Sequence, residues 1–75
     1  MKKIINFSIF KGEKYYVAEC NDLSIVTQGL TIDETIENVK EALSLHFEDA
    51  SPADFGLADS PAVLVNYDLG EFAYA

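Results

Sequence analysis

A single amphipathic helix constrains this chain more than any other feature. Thr31-Ile32-Asp33-Glu34 has the form of a capping box. In such a box the Thr31 hydroxyl accepts from the Glu34 amide and the Glu34 carboxylate reaches back to the Thr31 amide. Asp33 and Glu34 also place negative charge where the first turn exposes its N–H groups. Beyond the cap, Ile32, Ile36, Val39, Leu43 and Phe47 recur at helical spacing as one apolar stripe, widened by Ala42 and His46. Asp33, Glu37, Lys40, Glu41, Ser44 and Glu48 occupy the remainder of the surface. The pattern predicts a helix over residues 32–49, with Leu30 packing on Thr35 or Ile36 at its entry. Pro52 stops its continuation. Such a helix is about 27 Å long, enough to cross a small sheet.

The remaining apolar residues alternate as strands do. In residues 3–10, Ile5, Phe7 and Ile9 share one face, while Ile4, Asn6, Ser8 and Phe10 share the other. Lys11-Gly12-Glu13-Lys14 is a polar turn, and residues 15–20 form a second strand whose Tyr16, Ala18 and Cys20 side is the more covered. These two runs pair most simply as an antiparallel hairpin. Asn21-Asp22 turns the chain into a third strand, residues 24–28, and Gly29 closes it where an unusual dihedral or a tight reversal is expected. Residues 50–60 read as a loop. Residues 62–67 are the final strand, whose apolar run predicts an interior position with both faces covered, or an edge shared with another chain. Phe72 and Tyr74 suggest a further short extended piece after Gly70. The fold class is α+β: three strands, one helix covering one sheet face, then a further strand, in a single domain over 1–75.

Composition narrows the function. With 49% hydrophobic residues in 75, the chain carries too much apolar surface for a disordered acidic tail, and enough to bury against a second chain. The net charge is −8. Lys2, Lys3, Lys11 and Lys14 against Glu13 leave the first fourteen residues at +3, and twelve acids against Lys40 leave the rest at −11. That field repels phosphate backbones and anionic membranes and favours a basic partner, although an acidic surface also serves plain solubility. Cys20 is the only cysteine, so neither an intrachain disulfide nor a thiolate metal site is available. No apolar run approaches membrane-spanning length and no signal-peptide pattern follows Lys2-Lys3, which predicts a cytoplasmic protein.

The inventory for chemistry is thin. Gly12, Gly29, Gly56 and Gly70 stand singly, without a phosphate-cradling run. His46, the only histidine, reads as a partly packed helix residue, and Cys20 as a small core residue. Glu34, Glu37, Glu41 and Glu48 gather on a helix flank that Glu19 could approach from its strand. A metal-dependent nuclease needs oxygen ligands converging from different elements, whereas this flank is expected to face solvent. Glu34, Glu37 and Glu41 are therefore the candidate partner-binding residues, with charge aiding encounter and aromatic burial supplying affinity. No catalytic residue, cofactor or metal is expected.

The segment from Tyr15 to Asp49 resembles the HicB-like antitoxin family of type II toxin–antitoxin systems. The matching features are Tyr15-Tyr16-Val17-Ala18-Glu19-Cys20, Val26-Thr27-Gln28-Gly29, and the run from Thr31 to Ala42. With the first strand and Val63-Leu64-Val65 the likeness extends over nearly the whole chain. It implies a partial RNase H-like domain that binds a small basic RNase toxin, covers its active site and assembles as a homodimer or larger oligomer. Many members carry a C-terminal DNA-binding domain, and this chain resembles the antitoxin domain without it. The short connection Asn21-Asp22-Leu23-Ser24-Ile25 departs from the longer loop of many relatives. The leading expectation is an antitoxin that neutralises an RNase toxin. The alternatives are an orphan homo-oligomeric scaffold or regulatory binding domain, and a metal-dependent nuclease.

Overall fold

A computed structural model describes residues 1–72. The elements are β1 (Lys2–Lys11), β2 (Tyr16–Cys20), β3 (Ile25–Gly29), α1 (Ile32–His46), a single 3₁₀ turn (Pro52–Phe55) and β4 (Leu57–Tyr67). The strands form one mixed sheet in the order β3-β2-β1-β4. β1 pairs antiparallel with β2, β2 pairs antiparallel with β3, and β4 lies parallel to β1. This is the expected α+β layout: three strands, a helix packed on one face of the sheet, and a final strand.

The alternation read from the sequence decides which face is buried. Ile5, Phe7 and Ile9 of β1 and Ala18 and Cys20 of β2 point to the helix side and are buried with Leu23, Ile25, Val39 and Leu57. Ile36, Ala42, Leu43 and Phe47 extend the helical stripe over this core. Burying a side chain such as Phe7 contributes on the order of 2–3 kcal/mol, so the odd-numbered face of β1 is the main source of cohesion. Ile4 and Phe10, on the opposite face, remain exposed.

Four local expectations need correction. The helix ends at His46, not at 49, and Phe47 is its C-cap, its N–H donating to the Leu43 carbonyl at 3.0 Å and the Glu48 N–H to the Leu45 carbonyl at 3.3 Å. The acids Glu48 and Asp49 follow, where the carbonyl end of a helix disfavours negative charge. Gly29 has no left-handed dihedral; among glycines only Gly56 and Gly70 do, and Ser24 takes the turn before β3 at φ 54. Gly29 is required by close approach instead, since a Cβ there would lie 2.7 Å from Thr35 Oγ1 and 2.8 Å from Thr35 N. Leu30 stays 54% exposed, while Thr35 turns into the core fully buried. β4 begins at Leu57 inside the expected loop and is an edge strand, not an interior one, with Val63 42% and Leu64 48% exposed. Tyr74 lies outside the described residues, and Glu71 and Phe72 belong to no regular element.

Candidate protein-binding surface

The start of α1 fixes the orientation of its acidic flank. Thr31 is the N-cap, and its hydroxyl accepts from the Glu34 N–H at 3.0 Å. Thr35 then anchors the turn from inside, its hydroxyl donating to the Thr31 carbonyl at 2.7 Å. Asn38 donates to the Gln28 carbonyl at 2.7 Å and ties the helix to β3. With the inner face held in this way, Glu34, Glu37 and Glu41 all project outward and are exposed. At 100° per residue Glu34 and Glu41 stack within about 20° of one another, two turns apart. Glu37 is set aside from that line and pairs with Lys40 at 3.6 Å, both side chains well exposed. The expected trio is thus one flank, with its strongest unpaired field at Glu34 and Glu41.

Glu19 does not join them. It occupies the face of β2 opposite Ala18 and Cys20, so the sheet stands between it and the helical carboxylates. There it lines a shallow groove of about 180 Å³ with Asn6, Ser8, Asn21 and Asp22. Ser8 and Glu19 are cross-strand partners at its floor, and Lys2 reaches Asp22 at 3.5 Å on its rim. The sequence reading placed Asn6 and Ser8 on one strand face and Glu19 on another, but did not combine them. The antiparallel register is what brings them together. Among the described residues no three of His, Cys, Asp and Glu gather closely enough to hold a metal ion.

The basic N-terminal segment also dissolves as a patch. Lys2 and Lys3 begin β1 while Lys11 ends it, roughly 30 Å away along an extended strand. Lys11 lies 5.0 Å over the Tyr16 ring and Lys14 lies 5.4 Å over that of Tyr15. Charge asymmetry along the chain is therefore not asymmetry in space, and the acidic helix faces solvent without a basic counterpart beside it, apart from Lys40.

An aromatic cluster closes the helix end. His46 stacks with Phe47 at 5.2 Å and Phe55 at 4.8 Å, and its Nε2 is buried without a hydrogen-bond partner. This confirms a packed helix histidine and fastens α1 to the 3₁₀ turn before β4. At the other end of the sheet Tyr67 meets Tyr16 at 6.0 Å. Partial burial, then the neighbouring Tyr16 and Asp68, hold the Tyr67 phenol above its ordinary pKa.

A UPF0150 protein from Thermotoga maritima is 31% identical over 51 residues, an alignment covering 68% of this chain and 73% of that relative. The chain belongs to the UPF0150 family. No family model matches it, and no solved structure does. Within this UPF0150 chain, no described helix is long and apolar enough to cross a membrane. Its exposed features are the acidic helix flank, the polar groove of the open sheet face and the bare strand β4, all suited to contact with another macromolecule.

Proposed function

We propose that this protein is a cytoplasmic antitoxin that binds and neutralises a small basic RNase. The observation that carries the proposal is the exposed carboxylate line of Glu34 and Glu41 on a rigidly anchored helix, in a chain of net charge −8. A low-dielectric wall carrying one sign of charge raises the encounter rate with a partner of the other sign. The kinship of UPF0150 proteins with HicB-like antitoxins supplies the class of partner, a ribonuclease whose own RNA-binding surface must be basic. In this reading the antitoxin competes electrostatically for the surface that RNA would occupy, and apolar contacts from the sheet hold the complex once formed.

The test is to examine the adjacent reading frame, which this reading expects to encode a small basic protein, and to reconstitute the chain with its product. Stoichiometric addition of this chain is expected to abolish RNA cleavage. Glu34→Gln with Glu41→Gln should slow association about tenfold at low salt, and the difference should shrink as ionic strength rises. Glu37→Gln should matter less, because Lys40 already faces that carboxylate. Undiminished cleavage in the presence of excess chain would sink the proposal.

A further inference from the structure

The open face of the sheet has a polar centre and an apolar surround. Ser8 is the cross-strand partner of Glu19, Glu19 of Val26, and Asn6 of Leu64. The groove of about 180 Å³ lined by Asn6, Ser8, Glu19, Asn21 and Asp22 is therefore flanked on this face by Ile4, Phe10, Val26 and Leu64, all exposed. Its lining is rich in acceptors. Glu19 can only accept when ionised, and the Ser8 hydroxyl and the amide oxygens of Asn6 and Asn21 add further lone pairs. Glu19 is half-buried, and among the described residues no cation pairs with it. Lys2 meets Asp22 on the rim, at 3.5 Å, and not Glu19 on the floor. Such a site attracts a donor-rich cation and repels a phosphate. Its volume lies below the roughly 300 Å³ at which small-molecule pockets begin, so it suits one side chain better than a nucleotide.

We propose that the groove receives the guanidinium of one arginine side chain from the basic protein that this chain binds, with the apolar surround covering the methylene stem. The assignment rests on the reading of the chain as a binder of a basic protein, and it seats that protein on the sheet face opposite the helical carboxylates. Arginine fits better than lysine for a geometric reason. Its planar fork carries five N–H donors, enough to engage the Glu19 carboxylate in a paired contact and the Asn6, Ser8 and Asn21 oxygens beside it. An ammonium is a compact point charge, of the kind that Lys2 already brings to Asp22. The aliphatic stem packs on apolar neighbours while the head is held by polar ones, and a rim of Ile4, Phe10, Val26 and Leu64 keeps water from the contact. Glu34 and Glu41 lie behind the sheet and act on the approach of the partner, whereas Glu19 acts on its departure.

Titration of the full chain with N-acetyl-arginine amide, followed by nuclear magnetic resonance, tests the proposal without the partner. N-acetyl-lysine amide is the control. Saturable shifts are expected at the side-chain amides of Asn6 and Asn21 and the backbone N–H groups of Ser8 and Glu19, with a millimolar dissociation constant, as suits so small a ligand. The lysine compound should bind at least threefold more weakly. Glu19→Gln should weaken arginine binding at least fivefold, while Glu34→Gln with Glu41→Gln should leave it within twofold. In a reconstituted complex, Glu19→Gln should speed dissociation about tenfold. Equal response to the lysine compound, shifts centred on the helical carboxylates, or unchanged binding by Glu19→Gln in either assay overturns the proposal. A chain that neutralises no RNase overturns the antitoxin reading alone, and the titration still decides the arginine site.

Discussion

The two edges of the sheet differ as if drawn from different proteins. β3 is five residues long, lies under α1, donates Gly29 to a contact with Thr35 and has a carbonyl claimed by Asn38. β4 is 11 residues long, is held by β1 on one side, and exposes Val63, Leu64 and Tyr67. A single helix about 22 Å long cannot shelter all four strands. The capping and stripe residues set it over β2 and β3, so Val63 and Leu64 of β4 stay exposed while Leu57 and Val65 join the core. One edge is sheltered by the helix and the other is left open.

The sharpest way to break this contrast is at Gly29. Gly29→Ala puts a methyl into the backbone of Thr35, which cannot move without shifting the first turn of α1. A loss of about 2–3 kcal/mol in denaturant unfolding is expected. Thr35→Val keeps the shape and removes the hydroxyl. The Thr31 carbonyl retains the Thr35 N–H at 3.0 Å, so the cost is one hydrogen bond, about 1 kcal/mol. The smallest effect belongs to the bare edge. The raised Tyr67 pKa means the folded state favours the neutral phenol. That contribution is complete below the ordinary tyrosine pKa of about 10 and is lost as pH rises through the higher folded value. An ultraviolet titration should show one late-ionising tyrosine, absent in Tyr67→Phe.

The elements legible in the sequence were those fixed by local pattern. Alternation in β1 and β2 assigned Ile5, Phe7, Ile9, Ala18 and Cys20 to the covered face, and the Thr31 cap located the start of the helix. The helix end escaped because Phe47 continues the stripe while serving as a cap. The reason for Gly29 escaped because it lies in a tertiary contact with Thr35, which no period records. The apolar run of β4 left open an interior strand or an edge shared with another chain, because such a run reports what a strand could bury, not whether anything covers it. Exposure of Glu34, Glu37 and Glu41 followed from helical spacing, while the groove around Ser8 and Glu19 required the register of a hairpin whose turn does not specify it.

The parallel seam between β1 and β4 has a consequence for the lifetime of the protein. The Asn66 side chain reaches the Phe7 carbonyl across 59 positions of sequence, and the Asp68 amide secures Ile9 beside it. During synthesis the hairpin and helix emerge before β4, so β1 waits for its second neighbour. A protease that trims the chain back past β4 would reopen that seam beside Ile5, Phe7 and Ile9 and leave a sheet unable to close.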